Sequence, residues 1–367
     1  MKKNIAVAAV LILCGTAGAQ TTTNNIISQL AGNESLLGKR NPRLRVDLDT
    51  RVDLRYSEGN EPEYSNFNLQ NMRLVVTGEI APGIRFRWRQ RINRPTTPNP
   101  DGSGAATDHI WVAFDVGHKK NWTLTVGKQF VQLGTYEFYY NGADTYLNTQ
   151  VNGDFVNTRI GVNAAYRFLG QTLNFQLMNS GDQMTDSNYS TRGLGAAIMW
   201  AGKLFDGIIG TRIGYAGFQH NSSKIYPWFT AGLQINTGAV TTELDFYRGD
   251  RILDYSPVVE GYDGRHHVRD MSGAVNVALH LGKWRPAIKG ILDHRRDMEL
   301  KADAYENMGI QALLEFYPFP PDGVLKDLRF HAVYSYMRTN FEGAFRSMKD
   351  KNVNTVLVGM RWIIPIL

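Results

Sequence analysis

Four arginines, Arg85, Arg87, Arg89 and Arg91, occupy every second position in the stretch IRFRWRQRI, opposite Ile84, Phe86, Trp88 and Ile92. A period of two places them on one face of an extended strand. The guanidinium group stays charged and presents paired donors, so a column of four is chemistry for anions. Along a water-filled passage, such a column lowers the barrier to anion transit. Arg45, Arg51 and Arg55 in LRVDLDTRVDLRY, with Arg73 and Arg159, extend this candidate wall. A competing use is visible on the same wall. Asp47, Asp49, Asp53 and Glu79 could neutralise the column in lateral salt bridges.

The second candidate is VQLGTYEFYYNGADTYLNTQVNGDF, residues 131–155, rich in Tyr and Asn and carrying Tyr136, Glu137, Asp144 and Asp154. If this connection folds inward, it forms a constriction whose acids face the arginine wall and set a transverse field. Signals for catalysis are poor: no Ser-centred elbow, phosphate loop or paired metal motif occurs. His266 and His267 read as surface-loop residues, with no acid–His spacing to support a metal, and His280 and His331 fall singly on the arginine-type face. No cofactor is expected. The basic residues alternate along strands and do not form a patch, which argues against nucleic acid.

The elements that must position these residues are strands. In LRVDLDTRVDLRY, Leu44, Val46, Leu48, Thr50, Val52, Leu54 and Tyr56 alternate with six charged residues. Thirteen residues of strict alternation exceed the roughly 5–6 of a soluble strand and suit the roughly 9–11 needed to cross a membrane in a tilted barrel. About sixteen such segments follow one another to the C-terminus, the register being least distinct over residues 193–218. Long polar connections alternate with mostly short turns such as APG, GHKKN, LGQ and NTGA. That two-stroke rhythm belongs to an up-and-down transmembrane barrel, which closes the sheet because unpaired backbone is intolerable in lipid. Trp88, Trp111, Trp122, Tyr166, Trp200, Trp228, Trp284, Tyr336 and Trp362 lie near segment ends, where an aromatic girdle is expected. Elsewhere no apolar run is long enough for a membrane helix.

The first residues, MKKNIAVAAVLILCGTAGAQ, carry a charged start, a short apolar run and a small-residue site ending at Ala19, the parts of a cleavable export signal. Cleavage there removes Lys2, Lys3 and the single cysteine from a chain of formal charge +6, leaving no disulfides. The expected organisation is a signal at 1–19, a periplasmic leader at 20–42 and an all-β antiparallel barrel of about 16 strands at 43–367.

VGKQF followed by LGTYEFYYNGADTY resembles the Gly-Lys strand and following loop of the phosphate-selective porin O and P family. LEFYPFPPDGVLKDLRFHAVYSY resembles the Pro-containing turn and penultimate hairpin of members from Bacteroidetes-like bacteria. The resemblance spans residues 43–367. It implies a sixteen-stranded, trimeric outer-membrane channel with an arginine-lined, anion-selective pore, and carries the pore-lining role onto Arg85, Arg87, Arg89 and Arg91. No cluster of lysines matches the family's phosphate-binding set, and Leu367 replaces the terminal aromatic of barrel-assembly signals. The expectation is therefore a channel, not an enzyme. It would sit in outer-membrane lipid of a Gram-negative cell after delivery to the barrel-assembly machinery, passing small, preferentially anionic solutes, with phosphate one candidate. A non-conducting adhesin or scaffold, or a barrel hydrolase, are the readings from other classes.

Overall fold

Strict alternation over long segments gives long strands, and here sixteen of them close on one another. The structure, a computed structural model, describes residues 44–59, 63–94, 106–117, 119–180, 193–220, 224–254 and 265–367. The export signal and leader expected at 1–42 lie outside the described residues. The strands are β1 Leu44–Gly59, β2 Tyr64–Ala81, β3 Ile84–Arg91, β4 Thr107–Val116, β5 Trp122–Phe130, β6 Thr158–Phe168, β7 Gln171–Asn179 and β8 Leu194–Leu204. They continue as β9 Ile209–Gln219, β10 Ile225–Asn236, β11 Val240–Asp254, β12 Arg265–Leu279, β13 Trp284–Asp297, β14 Ala302–Phe316, β15 Arg329–Phe341 and β16 Lys351–Pro365. Each pairs antiparallel with its sequence neighbours, and β1 pairs with β16 from Asp47 opposite Pro365 to Gly59 opposite Val353. The sheet therefore has no free edge. Several strands exceed what lipid demands: β1 has 16 residues and β2 has 18, against about 9–11 for a crossing.

The alternation sorts the two faces as polarity requires. Leu292, Val358, Ile110 and Met308 are more than half exposed on the outside, while Asp47, Asp49, Arg51 and Asp53 of β1 are almost wholly covered inside. Trp122 and Tyr166 pair on the outer face with ring centroids 4.7 Å apart, as do Trp284 and Phe316 at 4.4 Å, both beside short turns. These belong to the girdle. Two tryptophans assigned to it do not. Trp111 stands opposite Arg87 and Gly127 on the inner face. Trp228 is buried inside against Phe155, with centroids 4.6 Å apart, and its Nε1 donates to the Asp250 carbonyl at 2.8 Å. Position near a strand end suggested lipid, but the parity of the neighbouring residues decides the face.

The indistinct alternation of residues 193–218 has a structural cause. The inner faces of β8 and β9 carry Ala197 and Ala216, covered by Val131, Leu133 and Phe138 of the β5–β6 connection. Where a wall is apolar on both sides, the sequence shows little alternation. Gly214 on β9 and Gly232 on the adjoining β10 permit close approach. A Cβ on Gly214 would lie 3.0 Å from the Gly134 nitrogen, and one on Gly232 would lie 3.1 Å from the Thr135 Cα.

Candidate functional site

The connection from β5 to β6 lies inside the barrel and reaches both walls. It holds two short helices, α1 Tyr136–Tyr139 and α2 Gln150–Asp154. Thr135 caps α1, accepting from the Phe138 N–H at 3.3 Å, and Asp245 of β11 accepts from the N–H groups of Tyr136 and Glu137 at 2.9 and 2.7 Å. Free helix donors thus meet a carboxylate from the wall. Glu137 is 2% exposed. It accepts from Lys289 Nζ at 2.6 Å, Thr149 Oγ1 at 2.6 Å, Thr149 N at 3.0 Å and the Tyr247 hydroxyl at 3.0 Å. The same lysine donates to the Leu147 carbonyl at 2.6 Å.

The tip of the loop is fastened to β1, β2, β15 and β16. Asp144 accepts from both Arg329 and Arg361. Burial alone would raise its pKa, but these two guanidinium groups hold the carboxyl below its ordinary range. Asn141 donates to Asp49 at 2.5 Å and accepts from Arg73. Arg51 donates to the carbonyls of Ala143 and Thr145 at 3.2 and 3.1 Å and lies over the Tyr146 ring at 4.0 Å. On the returning limb, Asp154 pairs with Arg251 at 3.0 Å and Arg295 at 3.4 Å. Burial pushes the hydroxyls of Tyr136 and Tyr146 up to about 12, and that of Tyr140, which donates to Glu243, also upward.

These contacts correct one expectation. The loop acids Glu137, Asp144 and Asp154 do not face Arg85, Arg87, Arg89 and Arg91; their partners are cations of β11, β13, β15 and β16. Arg51 is an anchor of the loop. Arg159 lies within 5.3 and 5.1 Å of the Phe155 and Phe218 rings, beneath the loop and away from the early wall. His266 and His267 are on β12 and not in a surface loop. Each engages a carboxylate, Asp297 at 2.7 Å and Asp250 at 3.1 Å.

The four ladder arginines do share the inner face of β3, with Arg73 opposite Arg91. Their partners are not the acids of β1 and β2. Asp49 pairs with Arg361, Asp53 with Arg51 and His331, Asp47 with Arg45, and Glu79 accepts from the Gly83 N–H in the turn. Instead Asp108 serves three arginines at once: Arg91 at 2.8 Å, Arg89 at 3.0 Å and Arg73 at 3.0 Å. Asp115 serves Arg85 at 2.8 Å and Arg167 at 3.4 Å. Arg87 forms no ion pair among the described residues, and its Nε has no hydrogen-bond partner. Asp108 escapes simple alternation because it is the extra residue of a β-bulge: Arg89 pairs with His109 and Gln90 with Thr107.

The loop separates two cavities. One, of about 590 Å³ toward the long connections, is lined by Arg51, Arg55, Arg73, Arg89, Arg91 and Arg94, with Asp53 the carboxylate among its walls. The other, of about 500 Å³ toward the short turns, carries Glu137, Asp144, Glu243, Asp245 and Glu315 against Arg285, Lys289 and Arg329.

A closed sixteen-stranded barrel with an apolar outside, a charged lumen and a long loop folded within defines a porin-type channel. The family model described as "Phosphate-selective porin O and P" matches residues 42–224, which contain β1 to β9. The chain belongs to that family and is an outer-membrane porin. No curated protein matches its sequence. Among solved structures it is similar to Salmonella typhi OmpF, at 13% identity and TM-score 0.57, covering 88% of this chain and 99% of that one. It is similar also to an anion-selective porin from Comamonas acidovorans, at 10% identity and TM-score 0.55 over 88% and 99%. OmpT of Vibrio cholerae in a trimer form aligns at 10% identity and TM-score 0.55 over 87% and 100%. At such identities the likeness is one of fold.

Proposed function

We propose that this porin passes small solutes by passive diffusion with a preference for anions, and that residues 131–155 form its constriction. The observation that carries the preference is the imbalance on the β2–β4 wall. Arg73, Arg85, Arg87, Arg89 and Arg91 share two carboxylates, Asp108 and Asp115, and Arg87 has neither. Fixed positive charge left over in a low-dielectric wall attracts anions and repels cations along the path. The cavity toward the long connections has the same sign and would serve as the extracellular vestibule. In this reading residues 1–19 are a cleaved export signal and the assembly is a homotrimer. The trimer form of the structurally similar Vibrio OmpT supports the latter.

The test is the reversal potential of the purified protein in a planar bilayer under a KCl gradient. A potential on the chloride side supports the reading; a value of zero, or one on the potassium side, contradicts it.

A further inference from the structure

Toward the long connections, the outer face of β13 and β14 changes character. Ile288, Leu292, Met308 and Ile310 are each more than half exposed, as lipid-facing residues are, and the next outward positions are His294, Arg296 and Glu306. Polar side chains begin where the apolar band ends, at the level of the outer headgroups. Three groups meet at this lip: the ligand atoms of His294, Asp303 and Glu342 all lie within 4.8 Å of one another.

Each comes from a different segment, and the backbone brings it there. By alternation from the buried Tyr305, Asp303 would face the lumen. A bulge at Ala304 reverses it: Arg295 pairs with Tyr305 and Arg296 with Asp303, so Asp303 emerges on the outer face beside His294. One of its carboxylate oxygens is 3.3 Å from His294 Nε2. Glu342 directly follows β15, and its N–H donates to the Ala304 carbonyl at 2.8 Å, which seats it against the bulge. The Glu342 carboxylate has no hydrogen-bond or ion-pair partner among the described residues. Arg296 is the one cation paired to the trio, 3.3 Å from Asp303 with both side chains open to water. Exposed pairs of this kind are weak and readily exchanged.

An imidazole nitrogen with two carboxylate oxygens is a donor set for a borderline metal ion. Calcium takes all-oxygen shells and magnesium keeps much of its water, whereas zinc combines imidazole and carboxylate in a tetrahedral set at about 2.0–2.2 Å. Ligand atoms around such an ion stand about 3.4 Å apart, so rotation of the three side chains is enough to close on it.

We propose that His294, Asp303 and Glu342 bind a zinc ion at the outer lip, with water in the fourth position. The ion clasps β13, β14 and the segment after β15. This inference concerns the outer face of the barrel and stands apart from the ion preference of the lumen.

The experiment titrates zinc chloride into the purified, untagged, chelator-treated protein in detergent and follows binding by calorimetry. The unmodified protein takes up one equivalent per chain, and about a hundredfold excess of magnesium chloride leaves that binding in place. In His294→Asn the dissociation constant rises about tenfold or more, the loss of one ligand. His266→Asn, which alters the ion pair with Asp297 on β13, keeps the original affinity. Absence of zinc uptake overturns the site, as does equal affinity in the unmodified and His294→Asn proteins. Displacement by magnesium also overturns it, since the carboxylates alone would then hold the ion, and loss of binding in His266→Asn places the zinc elsewhere. Should His294→Asn fail to give a heat-modifiable barrel, Glu342→Gln replaces it with the same expected rise.

Discussion

Two arginine-bearing walls border this lumen, one on each side of β1, and they are used in opposite ways. On β11 to β16 the cations Arg251, Lys289, Arg295, Arg329 and Arg361 are consumed by acids of the inward loop and of the wall itself. On β2 to β4 five arginines outnumber their carboxylates, and no loop acid reaches the ladder on β3. One residue type therefore fastens a loop on one side and leaves a field on the other. The difference lies in stoichiometry, not in the number of cations.

The largest expected effect comes from breaking the fastened side. Glu137→Ala removes a buried carboxylate that accepts four hydrogen bonds and leaves Lys289 charged and uncompensated. Losing one partner of a buried pair costs about 3–5 kcal/mol. The heat-modifiability midpoint of the purified barrel should fall accordingly, and single-channel conductance should rise as the loop loosens. Acid should reach the same anchor system from the tip. Asp144 has its pKa depressed in the folded protein, so its contribution is complete above the ordinary aspartate value of about 3.9 and is lost as pH falls through its lower folded value. Conductance should become noisy as pH falls below about 4 and the Asp144 contribution is lost, which bilayer recordings across a pH series would check.

Gly214→Val perturbs the loop from the opposite wall, since its side chain would press on Gly134 and Leu133. Overpacking of this kind costs about 1–3 kcal/mol, read by the same gel-shift melting. A smaller change of stability and a larger change of selectivity are expected of Asp108→Asn. It frees Arg73, Arg89 and Arg91 together, so the chloride-to-potassium permeability ratio should increase. A decrease would mean that those arginines are not felt by the solute.

Much of this comparison was legible in the sequence, but unevenly. The strands, their faces and the sixteen-fold closure follow from alternation and from the rhythm of long and short connections. Both depend only on neighbouring residues. The inner placement of Arg85, Arg87, Arg89 and Arg91 follows in the same way. Asp108 was hidden because a bulge turns it inward, whereas parity with Ile110 and Val112 points it at lipid. Trp111 was readable by that same parity and was misplaced because strand-end position was given more weight. The partners of Glu137, Asp144 and Asp154 were out of reach for another reason. They lie 97 to 217 residues away along the chain, and nothing local selects Arg329 and Arg361 over Arg85. Periodicity reports which face a side chain takes, but not which charge across a lumen it meets.

The measurement that bears most directly on the two-wall account is the reversal potential of two multiple variants under the same KCl gradient. One carries Arg85, Arg87, Arg89 and Arg91 changed to Gln, and the other carries Arg329→Gln with Arg361→Gln. The first should lose the chloride-side potential while keeping its loop-limited conductance. The second should keep the sign of the potential while its conductance rises. If the ladder variant retains full chloride preference and the Arg329/Arg361 variant loses it, the selectivity resides on the wall that binds the loop, and the account is wrong.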